Sequence, residues 1–135
     1  GELQEPLFAG IAQLLAELDA AGWLLGVATG KSQRGLSHCL AAHGLTARFC
    51  TLQTADHHPS KPHPAMLEAA LAETATDPAH AVMIGDTAYD IVMAREAGVR
   101  AIGVEWGYHD AHELLAAGAH FVAATPAQLK EHLLR

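Results

Sequence analysis

Basic residues are scarce in this sequence: eight Lys and Arg stand against fifteen Asp and Glu, for a formal net charge of −7. The few cations are scattered, so there is no basic stripe to follow a nucleic-acid backbone. Long apolar runs are missing as well, and none approaches the roughly 20 residues of a membrane-spanning helix. Neither nucleic acid nor a membrane is therefore an expected partner. Cysteine is limited to Cys39 and Cys50, with no second pair, and no positively charged apolar leader opens the sequence. The expected setting is a cytoplasm with reduced thiols. There is no low-complexity tract, repeat or linker, and residues 1–135 read as one domain long enough to bury a respectable core.

Histidine, by contrast, is plentiful, with ten residues that include His57, His58 and His63, and His109 with His112. A zinc site needs about four convergent ligands, and no Cys or His clusters recur here at finger-like spacing. These histidines are expected to be mostly solvated.

What the chain does have is alternation. Apolar runs of strand length follow helical patterns from one end to the other, the signature of βαβ units. Ile11, Leu14, Leu15 and Leu18 recur at helical spacing before Gly22, and residues 23–28 then read as a buried strand. A helix over 32–43 is stopped by Gly44, and a strand follows at 49–52. After a polar, proline-bearing loop come a helix over 63–74, a strand at 81–85 and a helix from about Thr87 to Ala97 with Gly98 placed to cap it. A strand at 101–104, a helix near 111–117, a short strand at 120–122 and a terminal helix from Pro126 complete the series. Each strand returns through a helix, so all are expected to be parallel.

Chemistry gathers where these strands end. Asp86 closes the apolar run Ala81-Val82-Met83-Ile84-Gly85 and opens the stretch that carries Asp90. Ligands of open α/β sheets bind just beyond the carboxyl ends of the strands, and magnesium prefers carboxylate oxygens. A simpler role is open to both residues: Asp86 as a helix N-cap and Asp90 as a favourable charge in the first helical turn. Thr29 and Gly30 follow the strand at 23–28, where a hydroxyl and free amides can hold phosphate oxygens at the start of a helix. Thr29 also suits a plain turn or cap. Lys61 sits in Pro59-Ser60-Lys61-Pro62-His63-Pro64, a stiff loop that can hold a cation beside carboxylates, although a loop lysine is usually just solvated. Gly26-Val27-Ala28-Thr29-Gly30-Lys31-Ser32 approaches a nucleotide-binding P-loop but is one residue short between its glycines.

Taken together, the segments resemble the haloacid dehalogenase-like (HAD) hydrolases. Residues 82–99 are similar to the family's last motif, Trp23 to Lys31 to its second, and Lys61-Pro62-His63-Pro64 to its third as found in phosphoglycolate phosphatase-like members. The likeness runs from Glu5-Pro6-Leu7-Phe8-Ala9-Gly10 through Trp106-Gly107-Tyr108-His109 to the closing helix. It implies an α/β fold, a three-layer α/β/α Rossmann-like parallel sheet. It further implies a Mg2+-dependent phosphatase that acts on a small phosphorylated metabolite through an aspartyl-phosphate.

In that likeness Thr29 and Gly30 bind phosphate, Lys61 stabilises the nucleophile and the phosphoryl group, Asp86 ligates the metal, and Asp90 orients Lys61 or the metal's waters. One departure is decisive: the family's first strand carries Asp-x-Asp, and these 135 residues contain none. No helical cap insert is present either, so the expectation is a core incomplete at its N-terminus, the post-cap portion, inactive by itself. The alternative is a non-catalytic binding or interaction module on the same scaffold. The strands at 23–28 and 81–84 are expected in one sheet, with the space between them closed by direct pairing, or filled by a segment from another copy through strand exchange or self-association, or by a cleaved N-terminal piece.

Overall fold

The computed structural model describes residues 10–134, so the resemblance over Glu5 to Ala9 falls outside the described residues. Within them helices and strands alternate as α1 (Ile11–Ala20), β1 (Gly26–Ala28), α2 (Gln33–Ala42), β2 (Thr51–Gln53), α3 (Ala65–Glu73) and β3 (Val82–Gly85). The series continues with α4 (Ala88–Glu96), β4 (Arg100–Val104), α5 (Ala111–Ala116), β5 (Phe121–Ala123) and α6 (Pro126–Leu133). Every strand pairing is parallel, as the helical returns require.

The helices start where side chains can satisfy the first free amides. Ser32 accepts from the Gly35 amide, Thr125 from Gln128, and Asp110 forms a reciprocal box with Glu113. Gly98, with φ of 75°, takes the left-handed conformation that ends α4, as its position implied.

Side chains alternate between two helical layers. On one face Met66 and Leu67 of α3, Ile91, Met93 and Ala94 of α4, and Leu114 of α5 bury against Ala28, Met83 and Ala101. On the other, Leu14 and Leu18 of α1 and Leu129 of α6 bury with Ile102, Val104 and Ala123, while Leu36 and Leu40 of α2 pack near Val27 and Leu52. Helices on both faces of parallel strands make the expected three-layer α/β arrangement.

The sheet, however, is in two pieces. β1 pairs with β2, and β3-β4-β5 form a separate ladder. The expectation of one sheet containing both β1 and β3 is corrected, and so is the expectation that these two strands pair directly. Both are held by the helical layers: Leu14, Leu18 and Leu129 pack with Trp23 and Leu25 ahead of β1 and also with Val82 in β3. The two edges therefore stay apart across a cleft of about 910 Å3. β1 spans three residues and not the six apolar ones at 23–28, matching the three residues of β2 with which it pairs. Its ladder has only β2 beside it, and Leu24 is left exposed.

Candidate active site

β1 and β3 deliver their carboxyl ends to the same cleft, whose lining includes Thr29, Lys61, Asp86 and Asp90. Gly30 lies beside Thr29 on the exposed side and is not part of that lining. Thr29 is fixed by its own backbone: its N–H donates to the Gln53 carbonyl at 3.0 Å, and its hydroxyl accepts the Lys31 amide at 3.2 Å. That second bond is the turn role open to Thr29 from the sequence, while Ser32 takes the capping role. A turn and a hydroxyl at the cleft coexist in one residue.

Lys61 is not a solvated loop lysine. Its ammonium donates to Asp90 Oδ1 at 2.5 Å, and Asp90's side chain is only 5% exposed. Asp90 has a second duty, because its Oδ2 accepts from both the amide (3.3 Å) and the hydroxyl (3.0 Å) of Thr87. Thr87 Oγ1 in turn accepts the Asp90 amide, closing a capping box at the start of α4. The N-cap is thus Thr87 and not Asp86, which is left free of that task. Asp86 Oδ2 accepts the Tyr108 amide at 3.1 Å, and its other oxygen takes no hydrogen bond among the described residues.

Close packing fixes both carboxylates. A Cβ on Gly85 would collide with the Asp90 side chain, and one on Gly107 with that of Asp86. The Ala88 amide donates to His109 Nδ1 at 2.8 Å, so that nitrogen carries no proton, and the His109 amide donates to the Asp86 carbonyl. Gly85, Thr87 and Gly107 were given no site role from the sequence, and His109, expected among the mostly solvated histidines, instead accepts the Ala88 amide. The signal for them was adjacency: glycines beside a strand end, and the Trp106-Gly107-Tyr108-His109 run just past β4.

A polar chain holds the loop that carries Lys61. His58 Nε2 meets Gln53 Oε1 at 2.8 Å, Gln53 donates to Thr51 Oγ1 at 3.0 Å, and the Thr51 hydroxyl donates to Glu73 at 2.7 Å. Thr51 above all, then Gln53, and more weakly the charge of His58, hold the Glu73 carboxyl below the usual carboxylate range against a small opposing effect of burial. His63 and His109 likewise accept backbone amides. Among the described residues no three His, Cys, Asp or Glu side chains converge as a ready metal cage. Asp86 alone fits a hard cation, with one open carboxylate oxygen and a cleft with room for the several waters that magnesium keeps.

Cys39 and Cys50 are free thiols, and no helix among the described residues is long and apolar enough to cross a membrane.

Known proteins align with this arrangement. A probable phosphatase, IndB, of Dickeya dadantii is 40% identical over 88% of this chain and 52% of its own length. The phosphoglycolate phosphatase of Synechococcus elongatus is 32% identical over 91% of this chain and 57% of its own. The chain thus spans about half the length of the curated relatives it matches. A crystal structure titled a "predicted phosphatase" from Clostridium acetobutylicum superimposes with a TM-score of 0.88 at 28% identity, over 94% of this chain and 59% of that one. The family model described as haloacid dehalogenase-like hydrolase matches residues 2–104, and with it the expected family is established: this chain belongs to the haloacid dehalogenase-like hydrolases.

Proposed function

We propose that this chain forms the post-cap part of a magnesium-dependent, cytoplasmic phosphatase core that hydrolyses a small phosphorylated metabolite, phosphoglycolate being the first candidate. The supporting observation is that Thr29, the Lys61–Asp90 pair and Asp86 all line one cleft. The phosphoglycolate phosphatase of Synechococcus elongatus supports the substrate class. All 135 residues act as one domain in this reading.

Phosphoryl transfer needs positioning and fixed positive charge more than any other device. Thr29 would donate its hydroxyl to a phosphoryl oxygen, with the Gly30 amide beside it. Lys61, held by Asp90, would neutralise charge on the phosphoryl group and on an attacking carboxylate. Asp86 would hold Mg2+ through its open oxygen, and the ion would supply charge neutralisation at the transferring group. None of these residues can serve as the attacking carboxylate: Asp90 is bound to Lys61 and Thr87, and Asp86 cannot both ligate and attack. The nucleophile would be the first Asp of an Asp-x-Asp strand, which these residues do not contain.

A second reading is a non-catalytic module that keeps the scaffold for binding. Phosphate release from phosphoglycolate and from an aryl phosphate separates the two. The chain alone is expected to be inactive with magnesium, and a version restored with an upstream Asp-x-Asp strand and cap to be active. Inactivity of the restored version would favour the binding module. Robust turnover by the 135 residues alone would overturn the assignment.

A further inference from the structure

Past their carboxyl ends, β1 and β2 stay joined. The Thr29 amide donates to the Gln53 carbonyl at 3.0 Å, and the Ala55 amide donates to the Lys31 carbonyl at 3.2 Å. Further along, the Gln33 amide donates to Asp56 Oδ2 at 2.8 Å. Bonds at residues 29, 31 and 33 keep the two-residue period of a parallel ladder, with a side chain standing in for the backbone at the last. A bond of this length to a charged acceptor is of the stronger kind. Asp56 is itself held in place by Thr54, which is fully buried. The Thr54 hydroxyl accepts the Asp56 amide at 3.4 Å, and its carbonyl accepts the His57 amide at 3.4 Å, a turn in which a hydroxyl closes on the backbone two residues on. The same loop goes on to Lys61.

This clasp changes what the start of α2 can do. Its first-turn amides are engaged from within, Gln33 on Asp56 and Gly35 on the Ser32 hydroxyl, with Lys31 just ahead on the Thr29 hydroxyl. A carboxylate already sits at the positive end of the helix, so that end is filled and is not a phosphate cradle. The Thr29 hydroxyl, by contrast, uses only an acceptor site on Lys31, and its proton stays available. Asp56 is exposed and does not line the cleft. Its influence on a phosphoryl group in the cleft therefore passes through the turn that carries Thr29.

We propose that Asp56 is a positioning residue that ties the turn carrying Thr29 to the loop carrying Lys61, so that the hydroxyl and the ammonium keep a fixed spacing at the cleft. The proposal rests on the phosphatase reading, in which both groups meet one phosphoryl group, and extends it to a residue outside the cleft. What Asp56 supplies is an acceptor at a fixed place, and its charge is not required. Asparagine keeps that acceptor and also suits a helix start, whereas alanine removes it.

The test has two arms. In the 135-residue chain, amide exchange of Gln33 and Ala55, read by NMR, is expected to quicken about fivefold or more in Asp56→Ala and to stay near the parent in Asp56→Asn, since only the first loses the bond. In the version restored with an upstream Asp-x-Asp strand and cap, Asp56→Ala is expected to lower kcat/KM about tenfold, the scale of a slightly misplaced contact, with Asp56→Asn recovering most of that loss. In a Thr29→Ala background the same Asp56→Ala change should cost about twofold or less, because no hydroxyl is left to misplace. Urea unfolding, which reads only structural support, should register Asp56→Ala equally in both backgrounds. An unchanged Gln33 amide in Asp56→Ala would overturn the proposal. So would an Asp56→Asn variant as impaired as Asp56→Ala, an active restored parent whose rate Asp56→Ala leaves unchanged, or a tenfold loss that persists without the Thr29 hydroxyl. An inactive restored parent would instead remove the phosphatase reading, and the exchange arm would then decide whether Asp56 ties the two loops.

Discussion

The two sides of the cleft present similar strand ends but hold them differently. On the β3 side, Asp86 and Asp90 are fixed by backbone amides, a capping box, a partly buried ammonium and two glycines that admit no side chain. On the β1 side, Thr29 rests on two backbone bonds, and Gly30 beside it is exposed with open space around it. The ladders differ in the same sense, three strands against two. The carboxylates are thus held by more of the chain's own contacts than Thr29, whose backbone bond goes to Gln53 of β2. Preorganised charge costs no rearrangement at the moment of reaction, so the acidic half is the part of such a site worth building rigidly.

Breaking the rigid side should cost most. Asp90→Ala leaves a mostly buried ammonium without its partner and Thr87 without its acceptor, and is expected to lose about 3 kcal/mol in urea unfolding. Lys61→Met leaves Asp90 still bonded to Thr87 and should lose clearly less. Equal losses would mean that the ion pair, and not the capping box, dominates Asp90's contribution.

The glycines sharpen the contrast. Gly85→Ala forces a methyl group into Asp90 and is expected to cost about 2 kcal/mol, whereas Gly30→Ala meets no atom within 4 Å and should stay within about 0.5 kcal/mol of the parent. Comparable losses at both positions would erase the distinction between the sides.

The smallest effect belongs to the tether of the Lys61 loop. Glu73 has its carboxyl lowered in the folded state by the Thr51 and Gln53 hydrogen bonds. Its contribution is therefore complete above the unfolded carboxylate pKa of about 4.3 and is lost as pH falls through the lower folded value. Urea midpoints of the parent and Glu73→Gln, followed from about pH 7 to about pH 3, should differ at the upper end and converge at the lower. A constant difference would assign the effect to packing.

Much of this was legible in the sequence because the signals are local. Helical spacing, Gly98 as a helix stop, and apolar runs ending in Thr29 and Asp86 give the order of elements and the positions of the site residues, whereas the cap of α4 fell on Thr87 and not on Asp86. Strand lengths and sheet continuity were not legible, since they depend on neighbours distant in sequence: residues 23–25 are as apolar as any strand, yet the ladder with β2 begins only at Gly26. The fixing of Asp86 by the Tyr108 amide and of Ala88 by His109 was hidden for the same reason, being contacts across 21 and 22 residues. Lys61 looked like an ordinary surface lysine until its partner, 29 residues away, came beside it.

The most direct measurement of whether the two strand ends make one site is a double-mutant cycle on phosphate release by the restored version, with magnesium varied. Asp86→Asn is expected to lower kcat/KM about 1000-fold with a higher magnesium requirement, and Thr29→Ala about 100-fold, on the scale of a lost transition-state contact. If both act on the same phosphoryl group, the double variant should fall far short of the product of the single losses. Fully multiplicative losses, or an Asp86→Asn variant as active as its parent at every magnesium concentration, would contradict a shared site.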